Sequence, residues 1–591
     1  MKTATVPLLL IVIVAFHLAQ SFRPPCQCTA FDRHCWPDSQ SWATFNASID
    51  GKLIRVVPPA SPCHDPAFNR RACREARQRW SFPFWRADQP GAMQASNWES
   101  NGITDRCLID SPRNSSCSQG SVPIYAVAAR KASHIQAAVG FAAARNLRLV
   151  VKNTGHDYLG RSTAAGALSI WTHQMKSMRF HHRFLPRGCS RRSKDATYLP
   201  AVTVGAGVQW EELYQAVFDR KFVIVGGGSS SVGAAGGHPQ GGGHSPLSPT
   251  FGLTADNVLE FSVVTADGSL VVANRCQNQD LYWAMRGGGG GTFGIAVTAT
   301  HRLYPALDSL VFAQYNLSTP DKPSFQRTLA RFTELHPSLE RAGWAGTFAI
   351  TNTTGLTLSY LLPNRGMELA NATLAAPLEE LAREDPQLRS SGSLQSFPSF
   401  QEFRLAIQCQ GRSSCRDVDT ANTGIATAGI PLLLASRLIP RTTVAYSPGN
   451  LAEVMVRIRE LFPRVSLTGV FVGGGAVSRD DRDNAVNPAW RRALWHVILG
   501  SSWSDGDDRA EQRARAELSA ANAMLIDLTP GSGAYGNEAD FNEPQWQESL
   551  FGEHYTRLLA IKKRVDPAGI FRCYHCVGSE EWSEDLLCAT R

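Results

Sequence analysis

Val150-Val-Lys-Asn-Thr-Gly-His-Asp-Tyr-Leu-Gly-Arg-Ser162 carries an apolar strand end straight into a polar loop punctuated by Gly155 and Gly160 and holding one histidine, His156. Upstream, Ile135, Ala138, Val139 and Ala142 recur at helical spacing behind Ser133 in the capping position, and Leu147-Arg-Leu-Val-Val151 reads as a strand. These pieces make an α/β unit. The pattern repeats downstream: residues 201–205 read as a strand, Trp210, Leu213, Tyr214 and Val217 line one helix face, and Phe222-Val-Ile-Val225 is a further strand. Each unit ends in a glycine-bearing loop.

The second such loop, Gly226-Gly-Gly-Ser-Ser-Ser-Val-Gly-Ala-Ala-Gly-Gly-His-Pro-Gln-Gly-Gly-Gly-His-Ser245, is nearly free of side chains. Backbone of this kind lies close against a flat ligand and points its N–H groups at anionic oxygens. A flexible linker has the same composition. Here, however, a strand precedes the loop, and two alternating apolar runs joined by the hairpin turn Asp267-Gly268 follow it. A third cluster, Arg286-Gly-Gly-Gly-Gly-Gly-Thr-Phe-Gly294, contains G-x-G-x-x-G at Gly289, Gly291 and Gly294. A nicotinamide-cofactor fingerprint needs a strand before the glycines and a helix after them. The helix-like residues 280–285 precede this cluster and the strand-like residues 295–299 follow it, so the order is reversed.

The 591 residues are too many for one core and predict roughly two to four folding units. An apolar fraction of 43% and a charged fraction of 19% are those of a globular chain. The net charge of +8 is spread without a basic block, which argues against a nucleic-acid partner. Lys2, the apolar run 6–19 and the small residues of Ala19-Gln-Ser21 read as a secretory signal, with the mature chain starting near Phe22. No later segment has the ~20 uninterrupted apolar residues of a membrane span. Secretion agrees with fourteen cysteines and with sequons at Asn46, Asn114, Asn316, Asn352 and Asn371.

Seven of the cysteines precede residue 120, so at least one is unpaired there or bonds elsewhere. Cys573-Tyr-His-Cys576 reads as a structural disulfide rather than half of a zinc site, since no second ligand pair stands at suitable spacing. Residues 22–118, rich in Pro, Trp, Arg and Cys, show little periodicity and read as a cross-linked extension. His181-His182 and the pair His238 and His244 lack accompanying ligands at a recognised spacing, so no metal is expected. Beyond residue 305 strands are predicted at 310–315, 346–352, 355–361 and 466–472, and helices at 325–335 and 451–462.

Asn153-Thr-Gly-His-Asp-Tyr-Leu-Gly-Arg-Ser162, Gly236-Gly-His-Pro-Gln-Gly-Gly-Gly-His-Ser245 and the cluster at 286–294, in that order, resemble the secreted fungal FAD-linked oxidoreductases of the vanillyl-alcohol oxidase superfamily. The berberine bridge enzymes are its well-known members, and the isoamyl alcohol oxidase-like and chanoclavine synthase-like fungal enzymes look nearer still. The C-terminal Tyr535-Gly-Asn-Glu-Ala-Asp540, Trp546, Phe551-Gly552, Tyr555, Ile561-Lys562, Asp566-Pro567 and Phe571 are similar to that family's closing motif. Cys26 to Pro37, ending in Cys-Trp-Pro, resembles the N-terminal extension of the fungal subgroup.

The resemblance implies an α+β chain with a two-subdomain FAD-binding domain at 119–304 and an α+β substrate domain with an antiparallel sheet at 305–528. Residues 1–21 are the signal, 22–118 the extension, 529–582 a segment returning to the FAD domain, and 583–591 a tail. It implies FAD bound covalently through His156. The cofactor-binding set would be Asn153, Thr154, Gly155, His156, Asp157, Gly160, Arg161 and Ser162, then Gly227, Ser229, Gly233, Gly237, Gly242 and Gly243, with Asn537. Many relatives carry a cysteine that makes a second flavin bond where this chain has Ser229-Ser-Ser-Val-Gly233, and a serine hydroxyl is far less nucleophilic than a thiolate. Attachment through His156 alone is therefore expected. Tyr535, with its pKa lowered, is the expected base, although a packing role suits it equally. The implied activity is oxidation of a small organic substrate (an alcohol, a sugar or a secondary-metabolite intermediate), with O2 reoxidising the flavin to give H2O2. The alternatives are a dehydrogenase using another acceptor and a catalytically silent flavin-fold protein. Oligomeric state is not legible.

Overall fold

The computed structural model describes residues 26–190, 198–418, 428–479, 481 and 483–590. The secretory signal expected at 1–21 and the expected start of the mature chain lie outside the described residues. The fold is α+β and is built on three larger sheets.

The first sheet runs Leu53–Arg55, Tyr125–Ala128, Leu168–Trp171, Leu149–Lys152. Its last three strands are parallel, and Leu53–Arg55 pairs antiparallel at the edge. The extension thus supplies a strand to this sheet. Helix Ala132–Ala144 covers it through Ile135, Ala138, Val139 and Ala142, all 0–1% exposed. The helix begins one residue before the expected cap: Lys131 occupies that position without a side-chain bond, and Ser133 lies inside the first turn.

The second unit does not repeat the parallel pairing of the first. Leu199–Gly205 enters a five-stranded antiparallel sheet in the order Met178–Phe184, Leu199–Gly205, Ile295–Arg302, Val258–Val264, Leu270–Asn274. Phe222–Val223 pairs only with Tyr304–Pro305. Ile224 and Val225 are buried at 1% and 0%, and the Val225 carbonyl accepts from Thr254 Oγ1 rather than from a neighbouring strand. Their apolarity marks core packing, which periodicity alone does not separate from a ladder. The Asp267-Gly268 hairpin is present, with Val258–Val264 and Leu270–Asn274 paired antiparallel.

The third sheet has seven antiparallel strands: Arg389–Phe397, Leu310–Ser318, Gly355–Pro363, Ala345–Asn352, Ser466–Phe471, Ala493–Ser502, Leu432–Pro440. Side chains alternate across it. Val311 and Ala313 face a core shared with helices Lys322–Ala342, Pro448–Leu461 and Asp508–Leu528, while Phe312 and Gln314 line a cavity on the other side. Helix Lys322–Ala342 starts at Asp321, whose carboxylate accepts from Ser324 N–H, and ends at Gly343 with φ 98°.

All fourteen cysteines are bonded. Of the seven before residue 120, six pair locally as Cys28–Cys35, Cys63–Cys73 and Cys107–Cys117, and Cys26 reaches Cys588. Cys573–Cys576 is a disulfide. Of the sequon asparagines, Asn114, Asn316, Asn352 and Asn371 are exposed, and Asn46 is half-buried.

One buried acid makes stability depend on pH. Glu543 accepts from Asn522 Nδ2 (2.9 Å) and Ser549 Oγ (2.5 Å), and burial raises its pKa from 4.5 to about 7. The folded state then holds this proton more tightly than the unfolded chain. The stabilisation is complete below pH 4.5 and is lost as pH rises through 7, by up to about 3 kcal/mol. Glu543→Gln should therefore raise the melting temperature relative to the parent more at pH 8 than at pH 5. Equal shifts at both pH values would refute this assignment.

Candidate active site

The loops converge on a cavity of about 990 Å³ between the first two sheets and the inner face of the seven-stranded sheet. The first loop leaves strand Leu149–Lys152, whose final side chain is 1% exposed and donates from Nζ to the carbonyls of Gln89, Pro90 and Ala92. Gly155, at φ +79°, passes so near the extension that a Cβ would stand 2.9 Å from the Ala92 carbonyl oxygen. Asp157 shapes the rest: Oδ1 accepts from the Leu159 and Arg161 N–H groups, and Oδ2 accepts from Arg161 Nε at 2.8 Å. Arg161 also donates to the Gly536 carbonyl, which joins this loop to the C-terminal segment.

His156 lies in the cavity wall with Nε2 2.8 Å from Ser231 Oγ. Burial lowers its pKa to about 3, so the ring is neutral across the physiological range. Ser229, which lines the cavity, has its Oγ 3.5 Å from Ser231 Oγ, and Ser230 turns away to accept from Arg404 Nη2.

The second loop is folded around Asn153. Its Nδ2 donates to the Ala206 carbonyl, and a Cβ on Gly233 or Gly236 would meet that nitrogen at 2.3 or 2.8 Å. Asn153 Oδ1 is buried with no partner among the described residues. The third cluster supports this loop: Gly287 and Gly289 N–H groups donate to the Gln240 carbonyl, and Gly290 lies against Gly237. A Cβ on Gly228, Gly237 or Gly291 would meet no atom within 4 Å, so at these lining positions bare backbone faces open space. A flat ligand with anionic oxygens fits such a cradle.

The C-terminal segment closes the site with Tyr535, Asn537 and Glu538. Tyr535 Oη accepts from Gly243 N–H (3.1 Å) and Asn537 Nδ2 (2.7 Å). The lowered pKa expected of Tyr535 is corrected here: burial, with the Glu538 charge adding to it, pushes the hydroxyl above the ordinary phenol value.

Of the expected cofactor set, Asn153, Thr154, Gly155, His156, Asp157, Arg161, Ser162, Gly227, Ser229, Gly233, Gly237 and Asn537 line the cavity. Gly160, Gly242 and Gly243 stand behind its wall. Gly160, at φ +75°, packs against the Trp98 ring, while Gly242 and Gly243 carbonyls accept from Ala255 and Thr254 N–H groups.

Three polar residues were missed as a group. Glu538 Oε2 lies 2.6 Å from His496 Nε2, and its Oε1 lies 3.4 Å from His244 Nε2. The companions that His244 lacks along the sequence are supplied in space by a strand and a loop roughly 250 and 290 residues further on. Glu538 sits inside the quoted C-terminal motif and was within reach of the sequence reading; His496, on strand Ala493–Ser502, carries no motif. The wall contributed by residues 305–528 carries no charged side chain among the described residues. Phe312, Leu361, Leu434 and Ile498 alternate there with Gln314, Thr347, Ser359 and Thr468.

Two family profiles match the chain: "FAD binding domain" over residues 123–274 and "Berberine and berberine like" over residues 534–578. An uncharacterised FAD-linked oxidoreductase of Arthroderma benhamiae is 38% identical over 596 residues, covering 99% of each chain. The FAD-linked oxidoreductase patO of Aspergillus clavatus is 34% identical over 572 residues, covering 96% of this chain and 95% of its own. A solved VAO-type flavoprotein of Myceliophthora thermophila C1 superposes with a TM-score of 0.85 at 31% identity, covering 96% of this chain and 100% of that one. The profile matches take in the first two loops and the segment that carries Tyr535, Asn537 and Glu538.

Proposed function

Because the chain belongs to the FAD-linked oxidoreductases of the vanillyl-alcohol oxidase and berberine bridge enzyme superfamily, we propose that it oxidises a small uncharged alcohol, with O2 as the final electron acceptor and H2O2 as the second product. The FAD it binds is held, in this reading, by one covalent bond to His156. The observation that carries the reading is a neutral imidazole in the cavity wall with only serine, and no cysteine, on the neighbouring turn.

Bound FAD supplies a two-electron acceptor. Around it the chain supplies position. His156 anchors the ring, and the backbone at Gly228, Gly237 and Gly291 leaves it room. Asp157 and Arg161 fix the anchor loop to the C-terminal segment, and Asn537 braces the second loop through the Gly237 carbonyl. Tyr535, its hydroxyl already accepting two N–H bonds, serves as a wall rather than as the base. An uncharged substrate suits the sheet face, because an ionised group seated there would be desolvated without a partner. Export through the secretory pathway agrees with seven disulfides and no free cysteine, and no described helix is long and apolar enough to cross a membrane.

Purified after flavin-replete expression, the protein should be yellow, keep its flavin fluorescence through acid precipitation, and release peroxide with members of an alcohol and sugar panel. A colourless protein would overturn the flavin reading. Flavin reduction by the panel without peroxide would reassign the acceptor.

A further inference from the structure

The polar group that the flavin reading leaves unused is the row His244, Glu538, His496. His244 and Glu538 line the cavity, and His496 lies behind them, 0% exposed. The His244 ring stands 5.5 Å from Tyr535 and 5.3 Å from His496 between centroids. Two histidines and a carboxylate this close are also a conceivable metal cluster. The distances decide against it. Ligand atoms sharing a tetrahedral zinc at 2.0–2.1 Å stand about 3.3 Å apart, whereas Glu538 Oε2 and His496 Nε2 are separated by 2.6 Å, a charge-assisted hydrogen bond.

Resting on the reading above, we propose that His244 is the proton acceptor for the substrate hydroxyl, with Glu538 and His496 as the residues that position it. His496 Nε2–H donates to Glu538, since burial keeps this ring neutral and its Nδ1 has no partner among the described residues. Burial alone raises the Glu538 pKa, but interaction with His244 and the hydrogen bonds from both rings outweigh it, so the group stays a carboxylate. That carboxylate takes the Nε2–H of His244. The lone pair of His244 is then on Nδ1, which has no hydrogen-bond partner among the described residues. This is the carboxylate–histidine logic of a general base, with the carboxylate fixing tautomer and orientation.

In the step, the substrate O–H bond breaks and its proton goes to His244 Nδ1. The electron pair left on oxygen forms the second C–O bond. The adjacent C–H bond breaks with its pair, and the hydride goes to the oxidised flavin. A carbonyl compound and an imidazolium facing Glu538 remain. Tyr535 is the poorer acceptor, because its ionisation would place a second anion beside Glu538 in a buried site.

The test uses the flavin-loaded full chain and its His244→Asn, Glu538→Gln, His496→Asn and Tyr535→Phe variants. Anaerobic flavin reduction is followed by stopped flow with a panel of primary alcohols. His244→Asn should remain yellow and reduce about 100-fold or more slowly. The second readout needs no turnover: imidazole nitrogen NMR of selectively labelled protein should show His244 protonated on Nε2, with that preference lost in Glu538→Gln. The proposal fails if His244→Asn is reduced at the parental rate, if His244 carries its proton on Nδ1, or if a stoichiometric metal is found that His244→Asn loses. A colourless parent protein would sink the flavin reading while the tautomer measurement still judged this one.

Discussion

A His156→Ala chain is expected to fold, to lose all acid-stable flavin fluorescence, and to release its FAD on dialysis. The imidazole is neutral because burial holds its pKa near 3, and Ser231 Oγ occupies Nε2 at 2.8 Å. In the tautomer whose Nε2–H donates to Ser231 Oγ, the free lone pair is on Nδ1, and that nitrogen is the one predicted to carry the bond to the flavin 8α carbon. Two consequences separate this from an ordinary loop histidine. Flavin attachment to apoprotein should be nearly independent of pH between 5 and 8, whereas a histidine titrating near 6.5 would lose about tenfold of its neutral form by pH 5.5. Peptide mapping of the parent should find flavin mass on a peptide containing His156 and none on a peptide containing Ser229. Ser231→Ala should still attach flavin, only more slowly, because the tautomer is no longer selected. Flavin mass on any other residue, or covalent flavin surviving in His156→Ala, would refute the assignment.

What the sequence made legible was local. The first loop was readable because its glycines answer local demands, such as the left-handed Gly155 against Ala92, and because strand and loop adjoin in the chain. The reversed order around Gly289, Gly291 and Gly294 correctly turned the third cluster from a dinucleotide turn into something else. In the structure it is a prop under Gln240 that reaches the wall at Gly290 and Gly291. Parity told that at least one cysteine before residue 120 is unpaired there or bonds elsewhere; that Cys26 bonds Cys588, 562 residues away, is a fact of tertiary structure.

The failures share that cause. Parallel and antiparallel neighbours give the same strand periodicity, so the strand expected at 201–205 does not reveal that it joins an antiparallel sheet. The extension shows no periodic pattern, yet it delivers an edge strand and the carbonyls that hold Lys152, together with the buried Arg86–Glu99 pair. The Tyr535 shift ran the wrong way because burial, with the Glu538 charge added, outweighs the hydrogen bonds from Asn537 and Gly243, and a motif does not reveal the dielectric around it.

The largest stability effect should follow from Arg404→Ala. This guanidinium is fully buried, stacks 4.3 Å over the Tyr214 ring, and donates to Glu211 (2.5 Å), Ser230 (2.9 Å) and Gln401 (2.8 Å). Glu211 in turn accepts from Ser414 Oγ and Cys415 N–H. One side chain thus ties the 400–415 segment of the sheet domain to helix Trp210–Phe218 and to the serine turn whose next residue holds His156. Removing one partner of a buried pair leaves an uncompensated charge and costs about 3–5 kcal/mol, whereas replacing both by apolar groups is often neutral. Arg404→Ala should therefore lower the melting temperature by roughly 10 °C, taking about 2–4 °C per kcal/mol. The double variant Arg404→Met, Glu211→Leu should recover most of that. The deficit should depend on pH in a definite direction. In the parent, burial raises the Glu211 pKa but Arg404 and the Cys415 N–H outweigh it, so this carboxylate stabilises the fold above pH 4.5 and loses that effect as pH falls through its lowered value. Without Arg404 burial prevails and the carboxyl favours its proton. The gap between parent and variant should be widest near pH 7 and narrow towards pH 4. Flavin attachment to the apoprotein should be slower in Arg404→Ala, because Ser230, next to the Ser231 that holds His156, is released together with Glu211. If the single variant melts within about 1 kcal/mol of the parent, or if the double variant is no better than the single, the pair does not join the 400–415 segment to helix Trp210–Phe218 as described.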